Sequence, residues 1–235
     1  MQNPELATSS AAPLAASAAL RETMVERQIR TFDVTDAGVL ARMREVPREL
    51  FVDPNLATLA YSDACLTVTG AQPRELTAPL ILARELKEAR LREGERVLVV
   101  AGGSGYAAAL IAGLVGSVVS LDDDAILSAK AQANFSALGL NNAKTLAAPL
   151  AQGAPGEAPF DLIFVDGVSQ GAFEPLFKQL SAGGRLVAIV AGEAGARVGK
   201  ATLFQNADGH ISTRVLFDAS AGALAAFARP QAFVF

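Results

Sequence analysis

An uncharged stretch of 25 residues, Val97 to Leu121, dominates the hydropathy pattern of the chain. Two β-branched runs, Val97–Val100 and Ser117–Leu121, flank a glycine cluster and an alanine- and leucine-rich segment, Tyr106–Val115. This order predicts a strand, a glycine loop, a helix and a second strand, covered on both faces as in a parallel sheet. A membrane span is the alternative for so long an uncharged run, but the glycine cluster at its start argues against it.

The glycine loop Ala101–Gly105 is the first candidate for binding. Glycines let the backbone approach a ligand, and the start of the following helix offers free N–H groups. Asp122 follows Gly105 by 17 residues, close to the spacing of about 20 at which an acid at a strand end accepts hydrogen bonds from a ribose. Two alternatives stay open: the glycines make only a tight turn, and Asp122 is a solvated carboxylate at a helix start. The candidate cofactor-binding residues are Ala101, Gly102, Gly103, Gly105 and Asp122.

The segment before the central unit reads as helical. Apolar spacing over Ala18–Thr31 predicts a helix, and Thr35-Asp36 is a capping signal for a second helix that ends before Pro47. A third apolar helix follows Pro79, with Thr77 at its predicted N-cap. The residues predicted to face the core in the first two helices are Leu20, Met24, Gln28, Ile29, Val39, Leu40, Met43 and Val46.

The second half of the chain alternates between strand and helix signals and ends in β-rich pieces. These signals predict an α/β fold, a doubly wound Rossmann-like sheet with antiparallel C-terminal strands and an N-terminal helical extension. The domain prediction is a mobile tail over 1–20 and one domain over 21–235, divided into the extension 21–79 and the core 80–235. The predicted elements are a helix Ala125–Leu138, strands Ala143–Leu146 and Phe160–Asp166, a helix Phe173–Leu180, a strand Arg185–Val190, a hairpin of Ala201–Gln205 with Ile211–Phe217, and a β-rich end Phe227–Phe235.

Composition narrows the classes of function. Hydrophobic residues make up 51% and charged residues 19%, which argues against disorder, and a net charge of −4 without a basic run argues against a nucleic-acid surface. One cysteine, Cys65, and one histidine, His210, exclude an internal disulfide framework and a multi-histidine metal site. The early Glu5 and the absence of a basic n-region are unlike a signal peptide, so a cytoplasmic chain is expected.

Six segments of the chain form recognisable motifs: MVERQIR (Met24–Arg30), VPRELFV (Val46–Val52), the turn AYSD (Ala60–Asp63), RVLVVAGGSGYAAAL (Arg96–Leu110), APFDLIFV (Ala158–Val165) and LSAGGRLVAIV (Leu180–Val190). Together they resemble the protein-L-isoaspartate O-methyltransferase family of Rossmann-like S-adenosylmethionine methyltransferases. The resemblance implies methyl transfer from S-adenosylmethionine to the carboxylate of isoaspartyl residues in damaged protein. It implies a protein or peptide as partner, with no nucleic acid and no membrane. Such a transfer needs an electrophile held in line with a carboxylate and shielded from water, without histidine, cysteine or metal.

The departures from the family pattern lie at the site. Val99 and Ala101 stand where the family has an acid and the first glycine, and Pro149 stands where it has an acid near the adenine. The family's substrate serine aligns with Thr77, or with Glu75 if the motif is counted from Gln72. Asp122 matches the ribose-binding acid.

Two hypotheses follow, an isoaspartyl methyltransferase or a pseudoenzyme that keeps the fold with weak or lost S-adenosylmethionine binding. Thr77 is either a catalytic hydroxyl that orients the substrate or an N-cap. Asp166, which ends a central strand, binds a substrate group or caps the next helix. Cys65 is expected to be a packing residue.

Overall fold

The computed structural model describes residues 11–229, with side chains from residue 17 onward. Six α-helices occur in this range: α1 (Ala11–Met24), α2 (Ala37–Glu45), α3 (Pro79–Ala89), α4 (Tyr106–Ala112), α5 (Ala125–Ala137) and α6 (Glu174–Phe177). Nine strands accompany them: β1 (Leu66–Val68), β2 (Arg74–Leu76), β3 (Arg96–Val100), β4 (Ser117–Asp122), β5 (Ala143–Ala147), β6 (Phe160–Ser169), β7 (Leu180–Val190), β8 (Val198–Ala207) and β9 (His210–Ser220).

Seven strands form the central sheet in the order β5-β4-β3-β6-β7-β8-β9. The five strands from β5 to β7 in this order are parallel, whereas β8 and β9 are antiparallel. The strands β1 and β2 form a separate antiparallel hairpin. The predicted doubly wound sheet with antiparallel C-terminal strands is therefore confirmed.

The central strand β3 is covered on both faces, which explains its uninterrupted apolar sequence. Val97 and Val99 pack in a cluster with α3, α4 and the N-terminal helices, while Leu98 and Val100 pack in a second cluster with Phe173. The uncharged run is thus divided into strand, loop, short helix and strand, and the membrane-span alternative is wrong for it. Within residues 11–229, no helix has the length and apolarity needed to cross a membrane.

The N-terminal extension is joined to the glycine loop by direct contacts. The Ser104 hydroxyl donates to the Phe51 carbonyl at 2.6 Å, and the ring of Phe51 packs against Tyr106 with centroids 5.2 Å apart. Asn134 in α5 donates to the Ser104 carbonyl at 3.0 Å. The loop is therefore held between the extension and α5.

A buried ion pair fastens the end of α3 to the sheet. Arg185 on β7 donates to both carboxylate oxygens of Glu95, at 2.8 and 2.9 Å, and to the Arg90 carbonyl at 2.9 Å. Both side chains are about one-tenth exposed. Two charges at this depth depend on each other, because either one alone would be desolvated without compensation.

Several sequence-based boundaries need correction. The helix predicted over Phe173–Leu180 is limited to Glu174–Phe177, because Leu180 already begins β7 and pairs with Phe160. The segment Val25–Ile29 is π-helical, and this wider turn buries Val25 instead of Gln28. Leu20, predicted to face the core, is 50% exposed.

The two ends of the chain partly lie outside the described residues. Of the predicted tail 1–20, residues 1–10 are outside this range and residues 11–20 belong to α1. Of the predicted β-rich end, residues 230–235 are outside it, and Phe227 ends a 3-10 turn instead of forming a strand. The predicted hairpin is confirmed and is longer than expected, spanning β8 and β9.

Candidate active site

The strands β3 and β4 end side by side on the sheet, next to an irregularity in the pairing of β6 between Val165 and Val168. Val100 of β3 is paired with Leu121 of β4 and with Val165 of β6. The next residue of each strand is therefore a site candidate, namely Ala101, Asp122 and Asp166. Strand order reverses between β3 and β6, and open α/β sheets bind ligands in the crevice at such a switch point.

Asp122 is buried at this edge, with 2% exposure. Its Oδ2 accepts a hydrogen bond from the Gly103 N–H at 2.9 Å, and its Oδ1 accepts one from the Asp124 N–H at 3.0 Å. Burial raises the pKa of Asp122, against the opposing effects of Arg74 and of the two N–H groups. A carboxylate has about four acceptor positions, so one position on each oxygen is left after these two bonds.

Arg74 of the β1–β2 hairpin takes one of those positions. Its Nε lies 3.4 Å from Asp122 Oδ2, and its Nη2 is hydrogen-bonded to Asp123. The Arg74 side chain is 15% exposed. This contact could not be predicted from the sequence, because Arg74 lies 48 residues before Asp122.

The loop glycines are explained mainly by packing within the protein. A Cβ at Gly102 would lie 2.2 Å from Ser120 Oγ, and one at Gly105, where φ is +96°, would lie 2.7 Å from the Phe135 ring. A Cβ at Gly103 would meet the Arg74 side chain at 3.5 Å. Ala101 has a φ of +61°, the left-handed region that favours glycine. At Gly103, therefore, the nearest atoms to an added Cβ belong to the Arg74 side chain.

Thr77 and Asp166 form a buried pair. The Thr77 hydroxyl donates to Asp166 Oδ1 at 2.6 Å, and the two residues are 1% and 7% exposed. The N-cap alternative for Thr77 is wrong, because Ala78 is the N-cap residue of α3 and lacks a side-chain cap. Asp166 lies within β6, and the next helix is capped at Phe173, so the helix-cap alternative for Asp166 is also wrong.

Burial raises the pKa of Asp166 to about 6, although the Thr77 hydrogen bond and the Arg48 charge oppose this change. Arg48 is fully buried, donates to the Thr77 carbonyl at 2.9 Å, and has its guanidinium carbon 4.8 Å from the centre of the Tyr106 ring. Glu85 of α3 is also buried, and its Oε1 has no hydrogen-bond partner within the described part of the chain. Burial, followed by the nearby Asp166, raises the pKa of Glu85 well above its ordinary value.

A cavity of about 280 Å³ borders Asp166. Its lining includes Arg74, Glu75, Asp166, Arg197 and Leu224. Arg197 forms a two-pronged ion pair with Glu75 at 2.5 Å for each contact. The cavity thus places a protonatable acid, Asp166, beside the arginine that contacts Asp122.

The two residues that replace the family's acids fit the fold without any unusual contact. Val99 is fully buried in the core, and Pro149 precedes a short 3-10 turn, Leu150–Gln152. Burial raises the pKa of Cys65, which is the opposite of what a nucleophilic thiol requires.

Three residues of this site, Arg48, Glu85 and Arg74, were not predicted from the sequence. Two of them had a signal that could have been used: Arg48 lies inside the VPRELFV motif, and Glu85 interrupts an apolar helix.

Solved structures with a similar fold show the class of protein to which this chain belongs. A solved structure titled protein-L-isoaspartate O-methyltransferase superposes with a TM-score of 0.76 at 26% identity, covering 87% of this chain and 65% of its own. A second, from Plasmodium falciparum in complex with S-adenosyl-L-homocysteine, gives 0.70 at 20% identity over 88% of this chain and 97% of its own, a likeness of fold. The fold is that of the Rossmann-like methyltransferases.

Sequence comparison defines the family. The family model Protein-L-isoaspartate(D-aspartate) O-methyltransferase (PCMT) matches residues 19–218. A relative named protein-L-isoaspartate O-methyltransferase from Methanoculleus marisnigri is 41% identical over 170 residues, 72% of this chain and 76% of its own. Another, protein-L-isoaspartate O-methyltransferase 1 from Rhodopseudomonas palustris, is 40% identical over 170 residues, 72% of this chain and 69% of its own. The chain belongs to the protein-L-isoaspartate O-methyltransferase family.

Proposed function

We propose that the protein binds S-adenosylmethionine at the ends of β3 and β4 and methylates the carboxylate of isoaspartyl residues in proteins or peptides. The observation that carries this proposal is Asp122, a buried carboxylate with an acceptor position left on Oδ1, beside Gly103 in a chain of this family. Asp122 would hold the ribose, with Ala101, Gly102, Gly103 and Gly105 forming the loop below it. When bound, S-adenosylmethionine would supply an electrophilic methyl group.

The chain's own contribution to the reaction is to orient the acceptor and exclude water. In the proposal, Thr77 is the catalytic hydroxyl that orients the substrate carboxylate. The proton on that hydroxyl is directed to Asp166 at 2.6 Å. Thr77 can donate to a substrate carboxylate only when Asp166 itself carries a proton, which its pKa of about 6 allows in mildly acidic solution.

Asp166 would therefore make carboxylate recognition dependent on pH. Above about pH 6 the ionised Asp166 repels a second carboxylate and keeps the Thr77 proton. Below it, the protonated Asp166 can donate to Thr77, which releases the hydroxyl to the substrate. We also propose a cytoplasmic location, which rests on the single cysteine, since a chain without internal disulfides suits a reducing compartment.

A second function, a binding or regulatory module with weak or lost cofactor affinity, is supported by Val99 and Pro149. Neither side chain can accept the hydrogen bonds that an acid would accept at these positions. A hydrogen bond to a charged group contributes about 1.5–3 kcal/mol. The loss of two would weaken binding by about two orders of magnitude or more, at about 1.4 kcal/mol per tenfold.

Titration calorimetry with S-adenosylmethionine, together with methylation of an isoaspartyl peptide, tests both functions. The methyltransferase proposal expects a measurable dissociation constant, weakened by about 1–3 kcal/mol in Asp122→Ala, and a base-labile methyl ester on the peptide. Asp218→Asn, an exposed aspartate on β9, is the control.

The outcomes separate the two functions. An unchanged dissociation constant in Asp122→Ala would remove Asp122 from the cofactor site. A low-micromolar constant in the natural chain contradicts the weak-binding module. An isoaspartyl peptide left unmethylated at pH 5.5 and at pH 8 contradicts the enzyme.

A further inference from the structure

The Arg74 side chain lies over the loop and acid that the proposed cofactor would use. Its stem covers Gly103, since a Cβ on that glycine would be 3.5 Å from Arg74 Cβ. Its guanidinium reaches past Gly103 to Asp122 Oδ2 at 3.4 Å and to Asp123. One flexible side chain thus covers both the backbone and the carboxylate of the candidate ribose site.

The hydrogen bonds of Asp122 show what the guanidinium competes with. Each carboxylate oxygen already accepts one backbone N–H, from Gly103 or Asp124. The two hydroxyls of a ribose would need the remaining acceptor position on each oxygen. Arg74 occupies that position on Oδ2, so a ribose can make only one of its two hydrogen bonds while Arg74 stays.

The rest of the hairpin is held down separately from Arg74. Asp124 Oδ2 accepts a hydrogen bond from the Gln72 N–H at 2.6 Å, and a Cβ at Gly70 would lie 2.4 Å from the same oxygen. These contacts fix the hairpin tip on the start of α5. The Arg74 side chain can leave Asp122 by rotation while the hairpin backbone keeps its place.

The displaced guanidinium has a place to go. Arg74 also lines the cavity of about 280 Å³ that contains Glu75 and Asp166. That cavity offers Asp166 and open space to an arginine that has turned away from Asp122, whereas Glu75 is already paired with Arg197. Its departure therefore requires no rearrangement of the sheet.

We propose that Arg74 is an affinity-determining residue that holds Asp122 closed and must be displaced before S-adenosylmethionine can bind. The inference rests on the proposed function, because it assumes that the ribose is bound by Asp122. The residue weakens cofactor affinity by the free energy of its contact with the acid. It adds to the effect of Val99 and Pro149 through a separate mechanism, since those residues lack an acceptor and Arg74 occupies one.

The test is titration calorimetry of S-adenosylhomocysteine and S-adenosylmethionine with the full chain and with Arg74→Ala and Arg74→Met. Both variants remove the ion pairs, and Arg74→Met keeps an apolar stem over Gly103 if the alanine variant folds poorly. The matched control is Arg197→Ala, which removes an arginine from the same cavity without touching Asp122. Melting temperature without ligand reports whether each variant is folded.

The expected result is that either Arg74 variant binds about tenfold to a hundredfold more tightly than the natural chain, while Arg197→Ala changes affinity by less than threefold. Equal binding by the natural chain and both Arg74 variants would overturn the role of Arg74 and leave the proposed function standing. Absence of binding in all folded variants would overturn both. A gain that occurs equally in Arg197→Ala would assign the effect to cavity charge and refute a specific role for Arg74.

Discussion

Replacing Asp166 by asparagine should stabilise the protein, although it removes one end of a buried network. Asparagine resembles the protonated carboxyl group and keeps an oxygen for the Thr77 hydroxyl, which donates at 2.6 Å. Burial raises the pKa of Asp166 from 3.8 to about 6 in the folded protein. Each pKa unit corresponds to about 1.36 kcal/mol, so ionised Asp166 lowers the free energy of unfolding by about 3 kcal/mol.

The sign follows from proton binding. Between pH 3.8 and about 6 the folded state binds more protons at this residue than the unfolded state, so the stability contributed by Asp166 falls as pH rises. Above about pH 6 the penalty is complete, and below the unfolded pKa it disappears. Arg48, Thr77 and Asp122 act on this carboxylate and their effects are already contained in its pKa, whereas Asp166 in turn raises the pKa of Glu85.

Urea denaturation followed by circular dichroism at pH 8 and pH 5 measures this effect. Asp166→Asn should be more stable than the natural chain by about 3 kcal/mol at pH 8 and by about half of that at pH 5. Asp208→Asn, in the exposed hairpin turn, is the control for the substitution itself. A difference that is the same at both pH values, or a loss of stability at pH 8, would refute the reasoning.

Three further predictions concern the Thr77–Asp166 hydrogen bond, the Glu95–Arg185 ion pair and the glycine loop. The kcat/KM for an isoaspartyl peptide should rise as pH falls through about 6, and Asp166→Thr should flatten that profile; a flat profile in the natural chain contradicts the proposal that protonation of Asp166 releases the Thr77 hydroxyl to the substrate. Glu95→Gln should lower the free energy of unfolding by about 3–5 kcal/mol, because it leaves Arg185 buried without its counter-charge. Gly105→Ala should lose about 1–3 kcal/mol more than Gly139→Ala, because both glycines have positive φ but the Gly105 Cβ would also meet Phe135; equal losses in a denaturation assay contradict this.

The sheet could be predicted because its signals are local. Val97–Val100, the glycines after it and Asp122 lie within one βαβ unit, so period and spacing were enough to place them at one sheet edge. The short hairpin of β1 and β2 could not be predicted, since three-residue strands leave almost no periodic signal. The same limit applied to α6, whose four residues are bounded by packing.

The candidate site could be predicted from the sequence only where residues close together in the chain define it. Asp122 and Thr77 were named, but their partners Arg74 and Asp166 lie 48 and 89 residues away. Such pairings depend on which loops the topology brings together, which one sequence does not reveal. Thr77 shows the consequence: its position before α3 favoured a capping role by local rules, yet tertiary contact directs its hydroxyl to Asp166.

The hydrogen bond from Ser104 to the Phe51 carbonyl has a consequence for the order in which the protein folds. It joins the glycine loop to a segment 53 residues earlier, so the loop reaches its final shape only after a long chain closure. The βαβ unit can form its strands early, but we expect its glycine loop to wait for the N-terminal segment to pack. In pulse-labelling hydrogen exchange, the Gly105 N–H, which bonds to the Gly102 carbonyl at 2.8 Å, should gain protection together with residues 46–52 and later than the strand β3. We therefore expect the glycine-loop edge of the sheet to be among the last parts to form.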